Sequence, residues 1–178
     1  VDLGCKDAAT SSQGDKLTIK QTQKWAKKLT IAQRANHKKR VKAIHAKIKN
    51  TRQDLIHKFT TSLIKDNALI VVGKLQSSSF TSSKLAKSVY DAGWFEMKRQ
   101  LDYKCKYAGC HYIEVNESYT TQTCSCCGSR QNSPKGRADL GIREWICECG
   151  VTHDRDINAA KNILAVGLDR LVEGIPSV

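Results

Sequence analysis

The amino-acid sequence predicts an α/β fold with a metal-binding module inserted ahead of its last helix. Three observations carry that prediction. Two short apolar runs, ALIVV at 68–72 and HYIEV at 111–115, are set among helical patterns; a long basic stretch runs from about 20 to 64; and two cysteine knuckles precede a final apolar-periodic segment. Continuous apolar runs of this length suit strands buried on both faces, and strands alternating with helical patterns suit a layered α/β core.

At 178 residues with eight cysteines, the chain is long enough for one core and a small satellite. Its formal net charge is +13 at pH 7 and its pI is near 9.5, which calls for a polyanionic partner and says nothing about fold. There is no run of 18 apolar residues, so no membrane partner is expected, and no small-molecule substrate either. Cysteines without a secretory leader point to a reducing compartment, the cytoplasm, and to metal ligation rather than a disulfide framework. Because the first residue is Val1 on an apparent strand, the sequence is expected to belong to a longer reading frame.

Taken in order, residues 1–5 read as the end of a strand turning at Gly4, with 17–20 as its partner after the turn-rich SSQGD. From 20 to 52 there are 12 Lys and Arg and no Asp or Glu. Val41, Ile44, Ile48, Leu55, Phe59 and Leu63 fall near heptad positions, which predicts one long amphipathic helix or a hairpin of two. Arg34, Lys38, Lys39, Arg40, Lys42, Lys49 and Arg52 would then line a cationic stripe. Solvated helix faces usually mix both signs, so this one favours phosphate contacts that hold nucleic acid without reading its sequence. ALIVV ends at Gly73, and the polar QSSSFTSSK after it reads as a loop. Residues 85–107 read as helix, entered or broken at Gly93 and carrying Trp94, Met97, Leu101 and Tyr103. HYIEV alternates like a half-buried strand. The order β, β, long helix, β, helix, β, metal module, helix fits an α/β core of the RNase H type, although a third strand of the opening meander is not visible.

The strongest local signal lies in 123–158, TCSCCGSRQNSPKGRADLGIREWICECGVTHDRDIN. Cys124 and Cys127 enclose two residues and lead into Gly128; Cys147 and Cys149 enclose one and lead into Gly150. A structural Zn²⁺ takes four tetrahedral thiolates, and the 19 residues between the knuckles lie within the zinc-ribbon range. The second knuckle is one residue tighter than usual, which leaves Cys126 open as a substitute ligand. Cys5, Cys105 and Cys110 are expected to stand outside the site. After His153-Asp154-Arg155-Asp156 comes INAAKNILAVGLDRLV, with helical periodicity.

VDLGCKDAAT, NTRQDLIHKFT, LIVVG, YTTQTCSCCG and HDRDINAAKNIL together resemble the transposon-encoded TnpB (OrfB) proteins. These are RNA-guided nucleases with a RuvC-like catalytic domain, related to Fanzor proteins and type V CRISPR effectors. The resemblance extends over essentially the whole chain. It implies a RuvC-like core in 1–116 with the basic helical insertion (about 20–64), a zinc ribbon in 117–152, and a C-terminal core segment and helix in 153–178. It further implies Mg²⁺-dependent hydrolysis of DNA phosphodiester bonds, with a guide RNA and target DNA as partners. Such chemistry needs carboxylates converging on two ions roughly 3.5–4 Å apart. The resemblance assigns the first to Asp2 and the last to Asp156, which matches the acid of a D-x-N-A-A pattern. Asp154 competes with Asp156 for the role, and either could instead cap the helix.

One residue departs from the family pattern. In most of the family the strand corresponding to ALIVV ends in Glu; here it ends in Gly73, which cannot ligate a metal. Glu117, just past HYIEV, is the expected replacement, as in relatives whose glutamate is relocated; the alternative is a plain loop acid. Glu114 is expected to face away or to pair with a lysine. If Glu117 is no ligand, the chain reads as a nuclease-dead RNA-guided DNA-binding repressor. A plain zinc-ribbon nucleic-acid-binding module, the third reading, would need no acid cluster at all.

Overall fold

Backbone hydrogen bonds of residues 1 and 2 tie the centre of the molecule together in a computed structural model that describes residues 1–74, 92–135 and 138–174. The Val1 nitrogen donates to the Val71 carbonyl (2.6 Å), and Gly73 N–H donates to the Val1 carbonyl (3.2 Å). On its other side Asp2 exchanges both backbone bonds with Thr10, each 2.9 Å. Thr10 belongs to β1 (Ala9–Thr10), which pairs antiparallel with β2 (Lys16–Leu17). The expected partnership of 1–5 with 17–20 is therefore corrected: β1 lies between them and is the strand that was missing from the meander. A two-residue strand is too short to show any periodicity. The turn falls where SSQGD predicted it, closed by Asp15 N–H on Ser11 Oγ (3.0 Å) and by Ser11 N–H on the Asp15 carbonyl (2.8 Å).

The basic stretch is a hairpin of two helices, α1 (Gln21–Arg34) and α2 (Lys38–Lys65). The break at 35–37 uses no Gly or Pro; Asn36 takes the left-handed conformation at φ 51°, which short polar side chains tolerate. Trp25, Leu29 and Ala32 of α1 pack on Val41, Ile44 and Ile48 of α2 in a cluster of their own. Farther along α2, Ile56 and Leu63 enter the main core with Val72, Trp94, Met97 and Leu101. Arg34, Lys38, Lys39, Arg40, Lys42 and Lys49 are exposed, whereas Arg52 is only half-exposed, its side chain lying alongside Gly93. Replacing Lys38, Lys39, Arg40 and Lys42 with Gln is expected to weaken binding to DNA of any sequence. The slope of log K against log salt should fall by up to about 3–4, because each phosphate contact contributes about 0.9. Titrations across a salt series check this, and unchanged binding would mark the stripe as a solvated face.

β3 (Leu69–Gly73) and β4 (His111–Val115) pair in parallel, Leu69 opposite His111 and Gly73 opposite Val115. A parallel pair needs a crossover, and α3 (Trp94–Ala108) belongs to it. The expected QSSSFTSSK loop and residues 85–91 of the expected helix lie outside the described residues. β5 (Glu144–Ile146) and β6 (Thr152–Asp154) form an antiparallel hairpin that runs straight into α4 (Arg155–Val172). Ile163 of α4 packs on Val71, Ile113 and Val115. Gly167 brings α4 so close to β3 that a Cβ there would overlap the Val71 side chain. Among the described residues no helix is long and apolar enough to cross a membrane.

Candidate metal centres

The two knuckles meet. Sulfurs of Cys124, Cys127, Cys147 and Cys149 lie within 4.8 Å of one another, the one such group of three or more potential ligands among the described residues. Cys124 and Cys149 are 3.8 Å apart, and Cys127 and Cys147 3.6 Å. Each knuckle is folded by its own backbone: Gly128 N–H donates to the Cys124 carbonyl (2.9 Å) and Gly150 N–H to the Cys147 carbonyl (2.9 Å). Both glycines have positive φ, 76° and 83°, which explains the Gly after each cysteine pair. The tight Cys147-Glu148-Cys149 spacer is accommodated without help, because Cys126 stays exposed and outside the group. All eight cysteines are free thiols. Four convergent thiols fit a soft divalent metal such as zinc, and with every position filled by protein such a site is structural.

His153 is a member of this neighbourhood that the sequence reading did not assign. Its Nε2 is 3.0 Å from Cys124 Sγ, and its ring tilts against Trp145 with centroids 4.8 Å apart. Burial opposes ionisation of Cys124, but N–H groups of Cys127 and Cys126 and the His153 ring together hold its thiol down at about 6. A thiolate poised this way is ready for metal.

Asp2, Glu117 and Asp156 come from three distant parts of the chain: the first residues of the sheet, the exit of β4 and the first turn of α4. Asp154 caps that helix, its Oδ1 accepting from Asp156 N–H and Ile157 N–H at 3.0 Å each. Its Oδ2 accepts from Lys16 Nζ at 2.7 Å. The capping role therefore falls to Asp154 and leaves the Asp156 carboxylate free of it. Arg143, just before β5, reaches both Asp156 oxygens at 3.2 Å. Glu114 is held by Lys98 Nζ (2.8 Å) and Tyr112 OH (2.8 Å), the lysine pairing expected of it.

Glu117 occupies a different kind of place. Its carboxylate lies over the Cα of Gly73, in the volume that any side chain at 73 would take. Its Oε2 is buried with no hydrogen-bond partner. Burial raises the Glu117 carboxyl above the usual range, against the pull of Lys98. Asp2 is pushed up to about 7, by burial first and then by the charges of Asp156 and Glu117. The three carboxylates do not gather within 4.8 Å of one another as the thiols do, but a buried Glu117 oxygen without a partner and an Asp2 carboxylate repelled by Asp156 and Glu117 would both be relieved by a cation. The loop from Glu117 to the first knuckle is pinned to α4: Asn158 Nδ2 donates to the Thr120 and Thr123 carbonyls (3.3 and 2.8 Å), as does Asn162 Nδ2 (2.8 and 2.6 Å). Neither asparagine was assigned from sequence, where an amide on a helix carries no sign of what it holds. The basic residues Arg34, Lys38, Lys39, Arg40, Lys42, Lys49 and Arg52 sit on the helical hairpin rather than among these acids.

The Asp2 shift fixes a pH dependence. Its folded pKa lies above its unfolded value, so the folded state binds the extra proton. The contribution to stability is full below the ordinary carboxylate range and is lost as pH rises through about 7. In Mg²⁺-free buffer, Asp2→Asn is expected to raise the melting temperature relative to the unmodified protein, by a margin that widens from mildly acidic to mildly alkaline pH. Thermal melts across that range, repeated with Mg²⁺, check it; a constant margin would contradict the assignment.

Comparison with known proteins gives the family. Residues 1–84 match a family model described as probable transposase (OrfB_IS605), and residues 94–163 match the Cas12f1-like TNB domain. A protein of Streptomyces pristinaespiralis named as an RNA-guided DNA endonuclease is 36% identical over 183 residues, covering 94% of this chain and 44% of its own length. InsQ of Escherichia coli K12, named likewise, is 32% identical over 197 residues, covering 94% of this chain and 48% of its own. The chain thus spans about half the length of these curated relatives. Among solved structures, a Cas12f1–sgRNA–target DNA complex superposes with a TM-score of 0.66 at 21% identity, over 91% of this chain and 48% of that one, a likeness of fold. With residues 1–84 and 94–163 matched by these two models and both relatives aligned over 94% of this chain, the chain belongs to the TnpB (OrfB) family.

Proposed function

We propose that this chain is the catalytic part of an RNA-guided DNA endonuclease in which Asp2, Glu117 and Asp156 hold Mg²⁺, while Cys124, Cys127, Cys147 and Cys149 hold a structural Zn²⁺. The observation that carries the reading is the Glu117 carboxylate lying over Gly73, buried and unpartnered, with its charge felt at Asp2. The pairing order β2, β1, residues 1–2, β3, β4 supports an RNase H-like sheet. On it we divide the chain into a nuclease core (1–116, with the basic hairpin at about 20–64), the ribbon (117–152) and the closing segment (153–178). The named activity of the relatives and the guide and target DNA in the structural neighbour support guide RNA and target DNA as partners. Eight free thiols suit the reducing cytoplasm.

Mg²⁺ held by Asp2, Glu117 and Asp156 would supply Lewis acidity at the phosphate and would lower the pKa of an attacking water. The protein's own part is to set the charges of Asp156 and Glu117 against a buried Asp2, an arrangement that favours a cation. Asp2, pushed up to about 7 by burial and by its acidic neighbours, would give up its proton to a cation held there. Arg143 neutralises Asp156 in the meantime. The Asp154 cap and the Asn158 and Asn162 amides fix the helix start and the Glu117 loop so that the acids stay in register.

The test is cleavage of a matched DNA target by the full-length protein with its guide RNA and Mg²⁺. The unmodified protein should cut, and Asp2→Ala should bind the target without cutting. Binding without cleavage by the unmodified protein would transfer the case to a guided DNA-binding repressor. Absence of any bound RNA would point to a plain nucleic-acid-binding module.

A further inference from the structure

Two residues past Glu117, Tyr119 stands in the left-handed backbone region at φ 65°. A bulky aromatic residue is a poor choice there, since Gly or Asn would adopt the conformation at lower cost. The conformation is nevertheless locked. The Tyr119 carbonyl accepts from Gln122 N–H (2.9 Å), Thr123 N–H (2.9 Å) and Thr123 Oγ1 (3.0 Å). The following turn is anchored on α4 by Asn158 and Asn162. For this strain the loop gains no core packing, because Tyr119 remains 60% exposed. What covers the ring in part is Arg130, beyond the first knuckle, whose guanidinium carbon lies 4.8 Å from the ring centroid.

We propose that Tyr119 and Arg130 form a stacking platform for an unpaired nucleobase next to the Asp2–Glu117–Asp156 site; the inference rests on the nuclease reading above. An exposed ring backed by a guanidinium offers a flat face and a cation together, the combination that holds bases and their backbone in single strands. Asn116, Ser118 and Gln131, near Tyr119 and Arg130 in sequence, are polar and exposed, which suits a polar ligand better than the apolar core of a protein interface. A base inside a duplex has both faces covered by its neighbours, so only an unpaired or splayed nucleotide can use the platform. The platform therefore selects single-stranded DNA at the carboxylates and holds the nucleotide beside the scissile phosphate. Rigid anchoring to α4, whose first turn carries Asp156, keeps that nucleotide in register with the acids.

Binding of a fluorescein-labelled oligothymidylate to the full-length protein, without added Mg²⁺, tests the proposal independently of catalysis. Tyr119→Phe should bind as the unmodified protein does. Tyr119→Gly and Tyr119→Asn, which suit the backbone better but lack the ring, should bind about tenfold more weakly and melt no lower. A duplex probe should bind equally to all of them. Arg130→Gln should cause a smaller, salt-dependent loss. Unchanged oligothymidylate binding by Tyr119→Gly and Tyr119→Asn would overturn the platform, as would an equal loss on the duplex. If the unmodified protein fails to cut DNA but these variants still lose single-strand binding, the platform stands and the nuclease reading falls.

Discussion

Glu117→Ala is expected to cut DNA about 10³-fold more slowly than the unmodified protein, since one metal ligand supports several kcal/mol of transition-state stabilisation. Placing Gly73→Glu in that background is expected to restore cleavage to within about tenfold of the original, 1.4 kcal/mol in activation free energy. The reasoning is steric. A Cβ at position 73 falls on the Glu117 carboxylate, with Ile163 Cδ1 at 3.2 Å and Glu117 Cβ at 3.3 Å. The two positions thus share one volume, and a carboxylate can enter it from either side but not from both. Gly73→Glu alone should therefore lose activity and about 1–3 kcal/mol of stability through overpacking, while the double variant should regain both. Single-turnover cleavage and thermal melts on the four proteins decide it. Full cleavage by Glu117→Ala would sink the relocation, and a dead double variant would mean that the shared volume is not a shared role.

Zinc removal should have the larger effect on the fold. Elemental analysis is expected to find one Zn²⁺ per chain, and Cys124→Ser or Cys147→Ser to lose it, because both sulfurs are buried in the cluster. Structural zinc in small sites carries apparent binding free energies of about 10–16 kcal/mol at neutral pH, and that is folding free energy. Chelation should accordingly unfold the ribbon first. Amide exchange ought to quicken at Trp145 and His153, and Arg143 to lose its grip on Asp156. Cys126→Ser should keep the full metal content. Metal-free protein with an intact β5–β6 hairpin would overturn the assignment.

The cysteine site was readable in the sequence because ligand type and spacing are nearly the whole of its physics. The same is true of β3, β4 and α4, whose apolar patterns are long enough to state a period. β1 is two residues long, and its existence depends on Asp2 and Leu17 being on either side of it. No local signal can announce that. The split between α1 and α2 was one of two alternatives because Asn36 supplies the break without Gly or Pro. Asp154 and Asp156 are both acids at a helix entrance, and only the donors at Asp156 N–H and Ile157 N–H separate cap from free carboxylate. Arg143, Asn158 and Asn162 were invisible for a related reason: each acts on a residue at least 13 positions away.

The division of α2 between two apolar clusters has a mechanical side. At 28 residues the helix is about 42 Å long. Its C-terminal half is set in the main core, and its N-terminal half bears only α1. It is a rod clamped at one end. A tilt of about 10° at Ile56 would carry the Lys38 end through about 5 Å, given roughly 27 Å of helix between them. A load placed on the basic tip would then act with a long arm on the seat formed by Ile56 and Gly93 at the start of α3. Labels on the tip should move far more than labels on β4 when a polyanion is loaded, and the rod's angle becomes the coordinate along which different bound forms are best compared.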